Sequence, residues 1–320
     1  MIAKPFELPY NVLQLHAMER RGDPTHPMFP YVQKDLINWT KGYKGEHSLE
    51  YFLRMLPDKT YYIFYQLRLE ENKQSFQLDL LLVSSKLIVI LEVKTMGGTL
   101  FFDTNGHQLI QKIDNKEYTY QCPINQVNLQ EYHLRRWLKE NKFPDIPIIS
   151  LVVCSKPSSK IETNDRSKSF FDKVIHAHYL PTKISKVEAN IKLDILNHRE
   201  LKSLVKSLLK KHIPLENSIL EKYNMSDADL LKGVFCPSCS FLPMIKQKKS
   251  WFCSKCLAKS RTAHIDALKD FYFIHGNKIT NSQARDFLMV DSPYVAKRIL
   301  QSMDLEYEGE KKSRIYRLKF

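Results

Sequence analysis

Residues 76–98 read FQLDLLLVSSKLIVILEVKTMGG, and this stretch decides the fold. It contains two runs of β-forming residues, 78–83 and 87–93, on either side of a short polar segment. Such runs, separated by turn-forming residues, predict two buried strands joined as a hairpin. An unpaired charge in a buried strand is strongly destabilising. The charged residues within this stretch therefore need a reason other than packing.

Three charged side chains lie within or at the end of the two predicted strands. Asp79 is near the start of the first strand, and Glu92 and Lys94 are at the end of the second. Residues two apart in a strand share a face, so Glu92 and Lys94 point the same way, and the hairpin can bring Asp79 beside them. Two carboxylates and an ammonium group at a sheet edge can hold a divalent metal ion and order a water molecule. The alternative is a simple ion pair between Glu92 and Lys94.

In order and spacing, these residues resemble the core of the PD-(D/E)xK nucleases and, more narrowly, the nuclease-related (NERD) domain. That family typically has a Gly-Glu helix, a strand with Asp, a strand with Glu-x-Lys followed by Gly, and a helix announced by Pro-x-x-Gln. The matching residues here are Gly45-Glu46, Asp79, Glu92, Lys94, Gly97-Gly98 and Pro123-Ile124-Asn125-Gln126. The resemblance covers about residues 42–153. Many relatives carry His after the strand Asp, where this chain has Leu80.

The resemblance implies an α/β (α+β) fold with a restriction-endonuclease-like sheet flanked by helices. It also implies that Asp79 and Glu92 bind Mg²⁺ or Mn²⁺, that Lys94 orients the attacking water, and that Glu46 and Gln126 support the site. The residue pattern alone leaves alternatives for the last two. Glu46 would begin an amphipathic helix over 46–56, where the helix dipole favours a carboxylate, and Gln126 would be a solvated residue in a first helical turn.

The chain has 320 residues, a net charge of +14 and an isoelectric point of about 9.3. More than half of the positive excess lies in residues 231–320. This balance favours a polyanionic partner, chiefly nucleic acid, although a generally lysine-rich proteome is the alternative. No segment approaches the roughly 20 consecutive apolar residues of a membrane span. Residues 1–10 lack the apolar core of a secretory signal, so we expect a cytoplasmic protein without a membrane partner.

Four of the six cysteines form two C-x2-C pairs with 13 residues between them. In a chain without a secretory signal, this pattern predicts a zinc site and not disulfides. Four thiolates complete the tetrahedral coordination of Zn²⁺, so the site is expected to be structural and to form a small zinc ribbon. The ligands would be Cys236, Cys239, Cys253 and Cys256.

The last sixty residues predict a winged helix-turn-helix. Three helices are expected, the third beginning at Ser292-Pro293, and a hairpin turns at 309–312. One face of the third helix would contact DNA bases in the major groove, or would simply be solvated; its residues are Tyr294, Lys297, Arg298 and Gln301. The basic residues expected to contact phosphates from the wing are Lys311, Lys312 and Arg314. The acidic residues that count against a uniformly basic wing are Glu306, Glu308 and Glu310.

These observations predict five segments: an irregular N-terminal arm (1–40) with one helix around residues 12–21, the nuclease-like domain (41–183), a helical linker (184–232), the zinc ribbon (233–260) and the winged helix (261–320). The predicted function is metal-dependent hydrolysis of DNA phosphodiester bonds, with the C-terminal modules bringing the DNA. One alternative is a non-catalytic DNA-binding protein, regulatory or architectural, that keeps the nuclease-like fold as a scaffold. Another is a nuclease that acts on RNA. The oligomeric state is left open.

Overall fold

The computed structural model describes residues 1–57, 59–165, 167–215, 217–310 and 313–320. The chain forms two compact units. Unit 1 comprises Met1–Pro9 and Trp39–Leu215, and unit 2 comprises Tyr10–Asn38 and Glu216–Phe320. Within the described ranges, no helix has both the length and the apolar character that a membrane crossing requires.

The N-terminal forty residues contain the helix expected around residues 12–21, and a second helix begins at residue 29 where irregular chain was expected. The first elements are β1 (Ile2–Lys4), α1 (Tyr10–Arg21), α2 (Phe29–Ser48) and α3 (Glu50–Leu53). The prolines between them mark the chain breaks, because proline cannot continue a regular hydrogen-bonded element. The predicted helix over 46–56 is also wrong in its start, since α2 already includes residue 46.

Unit 1 is built on two sheets. Its remaining strands are β2 (Tyr62–Glu71), β3 (Gln74–Val83), β4 (Ile88–Lys94), β5 (Thr99–Asp103), β6 (Gln108–Ile113), β7 (Lys116–Gln121), β8 (Ile148–Cys154), β9 (Lys160–Thr163) and β10 (Val174–His176). The main sheet has the order β1-β2-β3-β4-β8-β10, and the second sheet has the order β7-β6-β5-β9. Strands β3 and β4 pair antiparallel, which confirms the predicted hairpin. Strand β4 then pairs parallel with β8, and β8 with β10.

Helices cover both faces of the main sheet. They include α4 (Pro123–Glu140), α5 (Lys168–Lys173), α6 (Leu180–Ala189) and α7 (His198–Lys210). The residues buried on one face form a group that we name the α4 cluster, which includes Phe64 and Ile90 of the sheet and Trp137 of α4. The residues buried on the other face form the α6 cluster, which includes Leu91 of the sheet and Ile184 of α6. Burial on both faces explains why the central strands are almost continuously apolar, and it confirms the α/β fold class.

Unit 2 joins the N-terminal helices to the C-terminal third. Its later elements are α8 (Ile219–Lys222), β11 (Ile245–Lys246), β12 (Trp251–Phe252), β13 (Lys259–Ser260), α9 (Ala263–His275), β14 (Lys278–Thr280), α10 (Asn281–Leu288), α11 (Pro293–Gln301), β15 (Glu306–Glu308) and β16 (Ile315–Arg317). From α9 onward the order is helix, strand, two helices and two strands, with the three strands in the sheet order β14-β16-β15. The three helices and the C-terminal hairpin predicted for this segment are therefore present, and β14 adds a third strand to the hairpin. Ser292 caps α11 and Pro293 occupies its first position, as predicted.

One hydrophobic core holds the cysteine-rich segment and the C-terminal helices together. Cys236, Trp251 and Cys253 belong to the same buried cluster as Leu268 of α9 and Leu300 of α11. The segment is too small to bury a core of its own, so it shares the core of its neighbours. Folding of the cysteine-rich segment and of the helices that follow it is therefore coupled.

A buried ion pair fixes helix α1 against α9 in unit 2. Arg21 is 1% exposed and donates to Oδ2 of Asp270 at 2.8 Å and to the carbonyl oxygen of Gly233 at 2.7 Å. Arg20 donates to the other carboxylate oxygen of Asp270, from Nε at 3.0 Å. The Arg21 guanidinium also lies 4.6 Å from the ring centroid of Phe235. Removal of Asp270 would leave the buried Arg21 charge without a counter-ion.

We expect Asp270→Ala to lower the free energy of unfolding of unit 2 by about 3–5 kcal/mol, because it strands the buried Arg21 charge. Urea denaturation of the full chain measures this. The matched control is Asp266→Ala, which changes an exposed acid of the same helix and should shift stability by no more than about 0.5 kcal/mol. Equal small shifts for both variants would contradict the assignment.

Candidate functional site

Asp79 and Glu92 face each other where β3 and β4 separate. The last paired residues of this ladder are Leu80 and Leu91, and the two acids follow directly beyond them. The Oδ2 atom of Asp79 accepts a hydrogen bond from the backbone N–H of Val93 at 2.9 Å. A side-chain carboxylate thus takes the place of a strand carbonyl, which holds Asp79 at the open end of the ladder.

Glu92 is almost fully buried, with 2% of its surface exposed, and both of its carboxylate oxygens are engaged. Lys94 Nζ donates to Oε1 at 2.8 Å, and Gln130 Nε2 donates to Oε2 at 2.7 Å. Lys94 also donates to Oε1 of Gln126 at 3.1 Å. The structure therefore brings the predicted residues Glu92, Lys94 and Gln126 together, and Gln126 is not merely solvated.

Glu46 reaches the same cluster from the last turn of α2. Its Oε2 atom accepts a hydrogen bond from Nε2 of Gln66 at 2.9 Å. The interpretation of Glu46 as a carboxylate favoured by a helix N-terminus is wrong, because α2 ends two residues later at Ser48. The helix macrodipole disfavours a negative charge at that end. Helix stability therefore does not explain this carboxylate, and its placement beside the other acids does.

Gly45 lets α2 approach the end of β4. A Cβ atom at this position would overlap the side chain of Thr95, one residue after Lys94. Any larger residue would push the helix away from the strand, and Glu46 with it. In the Gly-Glu pair, Gly45 is thus required for packing, and Glu46 is the site residue.

Burial and mutual repulsion raise the pKa values of two of the acids. Burial is the main cause for Glu46, whose pKa rises from 4.5 to about 7, and the nearby Glu92 adds to the shift. For Asp79 the pKa is raised well above its ordinary value, first by burial and then by the charges of Glu92 and Glu46. Lys94 opposes both shifts. Such crowding of acids in a cleft is typical of a functional site.

Two residues of the cluster, Gln66 and Gln130, were not predicted from the sequence. Gln130 could have been found, because it lies four residues after Gln126 and therefore on the same face of α4. Gln66 carries no local signal, since a glutamine in an amphipathic strand is ordinary. Its role depends on α2, which is remote in sequence.

The acid cluster carries ligand atoms of the type that a divalent cation takes. Asp79 and Glu92 supply hard oxygen ligands of the kind that Mg²⁺ and Mn²⁺ take in proteins. Among the residues that the structure describes, Oε1 of Gln130 is buried without a hydrogen-bond partner, so the cluster also has an unused acceptor. A cation would relieve the repulsion that raises the pKa values of Asp79 and Glu46.

The four predicted cysteines form a second, separate cluster in unit 2. Their Sγ atoms all lie within 4.8 Å of one another, and the Cys236–Cys256 and Cys239–Cys253 pairs are both at 3.6 Å. These separations fit a tetrahedron of sulfurs at about 2.3 Å from a zinc ion. Across the described ranges, no other group of three or more His, Cys, Asp or Glu ligand atoms is gathered as tightly.

The predicted DNA-contacting residues of α11 are all exposed on one face: Tyr294, Lys297, Arg298 and Gln301. The Arg298 guanidinium lies 5.8 Å from the ring centroid of Tyr294. In the wing, Arg314 is half-buried, and its guanidinium lies 3.9 Å from the ring centroid of Tyr307. The predicted wing residues Lys311 and Lys312 lie outside the described residues.

We expect Glu46→Gln to stabilise the metal-free protein above neutral pH. The folded pKa of Glu46 is raised, so its protonated form is favoured on folding, and stability is lost as the pH rises through about 7. A neutral isostere removes that loss, which predicts a gain of about 3 kcal/mol near pH 8 and none near pH 4. Urea denaturation without added divalent metal measures it, with the exposed Glu70→Gln as control. A gain that is independent of pH would contradict the assignment.

We expect about one zinc ion per purified chain, and its loss in Cys253→Ser. Because Cys253 lies in the core shared with α9 and α11, loss of zinc should also lower the unfolding midpoint of these helices. Elemental analysis and denaturation followed by hydrogen exchange measure both effects. Cys122→Ala, in unit 1, should keep its zinc. Zinc loss without any change in exchange at α9 and α11 would disprove the coupling.

Comparison with known proteins identifies a domain in the segment that contains the acid cluster. Residues 41–155 match the family model described as nuclease-related domain, and this segment contains Glu46, Asp79, Glu92, Lys94 and Gln126. No curated protein and no solved structure matches the chain at a significant level. The chain therefore carries a nuclease-related domain over residues 41–155.

Proposed function

We propose that this chain is a metal-dependent nuclease that hydrolyses phosphodiester bonds in DNA. The observation that carries the proposal is the convergence of three carboxylates and one ammonium group at the open end of the β3–β4 ladder. The acids are Glu46, Asp79 and Glu92, and Lys94 lies among them. This combination of charges suits phosphodiester hydrolysis, because the acids can hold a metal ion and the ammonium group can stabilise charge on the phosphate.

Asp79 and Glu92 would hold Mg²⁺ or Mn²⁺, with the carbonyl of Val93 as a further ligand. The ion would lower the pKa of a bound water molecule and neutralise negative charge on the phosphate. Lys94 would orient the attacking water and stabilise the charge that develops on the phosphate. Gln126 holds the Lys94 ammonium group in place for that role.

Supporting contacts orient two of the acids. Gln130 fixes one oxygen of Glu92, and the Val93 N–H fixes one oxygen of Asp79. Glu46 adds a third negative charge that would strengthen the attraction for a cation. Groups that orient metal ligands in this way typically affect metal affinity or activity by about 10- to 100-fold.

Unit 2 would bind the DNA. The exposed face of α11 carries Lys297 and Arg298 with polar and aromatic neighbours, which suits entry into a major groove. Such contacts release counterions from the phosphates, so affinity should fall steeply as salt rises. The excess positive charge of residues 231–320 supports this role.

One observation favours the alternative, a non-catalytic DNA-binding protein on a nuclease-like scaffold. Both oxygens of Glu92 are already satisfied by Lys94 and Gln130, as in a structural ion pair. The remaining acids argue against it, because Asp79 and Glu46 add unfavourable repulsion that a purely structural pair does not need. Cleavage measurements separate the two functions.

We expect purified protein to cleave linear or supercoiled DNA with Mg²⁺ or Mn²⁺ and not with EDTA. Glu92→Ala and Lys94→Ala should each lower cleavage by at least about 100-fold, because each removes charge stabilisation at the phosphate. DNA affinity should stay within about twofold, since α11 is unchanged. Lys86→Ala, a lysine in the turn before β4, is the matched control and should cleave like wild type. RNA in parallel reactions tests the alternative substrate.

The reciprocal variant is Lys297→Ala/Arg298→Ala. It should weaken DNA binding and reduce the salt slope of log affinity by roughly 2, with cleavage at saturating DNA retained. If Glu92→Ala loses binding and cleavage equally, the division between the two units is wrong. Binding without cleavage under every metal and substrate condition would favour the scaffold alternative.

A further inference from the structure

Strands β2 and β3 change their packing face within one residue of the candidate site. Tyr65 pairs with Leu80 and Leu67 pairs with Leu78, so the register is unbroken. Tyr65 and Leu80 nevertheless pack in the α6 cluster, whereas Leu67 and Leu78 pack in the α4 cluster. Residues two apart in a regular strand share a face, so both strands rotate between these two pairs.

Gln66 carries this rotation in β2. Its φ is 51°, in the left-handed region that a non-glycine residue seldom adopts inside a strand. Asp79 lies opposite it in β3, at the one position where the β2–β3 ladder is interrupted. Backbone strain of this kind persists only where the surrounding structure holds it, and it is concentrated at functional sites.

A turn does not explain the conformation. Asn72 and Lys73 also have positive φ, at 48° and 61°, but they form the tight turn between β2 and β3, where that geometry is required. Gln66 lies in the middle of a ten-residue strand with paired residues on both sides. Its left-handed backbone is therefore local to the acid cluster.

The side chain of Gln66 forms a hydrogen bond with Glu46, the acid at the end of α2. Its Nε2 donates to Oε2 of Glu46 at 2.9 Å, and the residue itself is half-buried. Glu46 lies at the C-terminal turn of α2, where the helix dipole repels a carboxylate. The amide thus supplies a donor where the helix supplies only carbonyl oxygens.

We propose that Gln66 is a positioning residue that holds Glu46 in the active site, and that the left-handed kink in β2 exists for this purpose. The inference rests on the proposed function, because Glu46 is assigned to the nuclease site there. Gln66 acts through Glu46 and contacts neither the cation nor the phosphate.

The test compares Gln66→Gly with Gln66→Ala. Both remove the amide and should lower metal-dependent cleavage by about 10- to 100-fold. Glycine adopts positive φ without strain, so Gln66→Gly should unfold at a higher urea concentration than Gln66→Ala. The matched control is Lys73→Gly, which relaxes a positive φ in the distant turn and should leave cleavage unchanged.

A double-mutant cycle with Glu46→Ala tests whether the effect passes through Glu46. In the Glu46→Ala background, Gln66→Gly should change cleavage by no more than about twofold, because the residue it positions is already absent. A purely structural role would give the same loss in both backgrounds. Additive losses, or full activity of Gln66→Gly, would overturn the proposal.

A second measurement distinguishes failure of the nuclease assignment from failure of the inference about Gln66. If the wild-type chain cleaves no nucleic acid with any metal, the nuclease assignment fails, and the same cycle is read by urea denaturation. Non-additive shifts of the unfolding midpoint for Gln66→Gly and Glu46→Ala would still support the contact between them. Additive midpoints in that case would overturn the inference as well.

Discussion

The interaction on which the candidate site depends is the ion pair between Glu92 and Lys94 at the end of β4. A carboxylate that is 2% exposed would be strongly destabilising alone, and the ammonium group two residues later on the same face compensates it. This neutral pair allows the strand to stay buried almost to its end. It also leaves Asp79 and Glu46 as acids whose repulsion Lys94 offsets only in part.

Unit 1 arranges charged and apolar residues by separating them along the strands. The paired parts of β3 and β4 are buried on both faces, and the acids begin where that pairing stops, at Asp79 and Glu92. The charged residues Asp79 and Glu92 thus occupy the first positions beyond the paired and buried part of the β3–β4 ladder. The rotation of β2 at Gln66 is local to the same level of the sheet, so strain and charge coincide there.

Unit 2 is stabilised differently from unit 1, because several small elements share one hydrophobic core. The two cysteine pairs, helix α9 and helix α11 each bury too little apolar surface to be stable alone. They combine around Trp251 and Leu268, and the buried contact of Arg21 with Asp270 adds helix α1 to the same unit. A metal ion at the cysteines would therefore stabilise more of the chain than the segment that holds it.

Local sequence determines many of the secondary-structure elements of this protein. Alternation and apolar runs determine the β3–β4 hairpin, the Pro-led helix α4 and the capped helix α11, because these depend on residues close together in the chain. The spacing of the cysteines likewise determines a four-sulfur cluster. Tertiary structure alone decided which end of a helix carries Glu46, that Gln66 holds it, and that residues 10–38 join the C-terminal third. Those features rest on packing between segments far apart in sequence, for which no local periodicity exists.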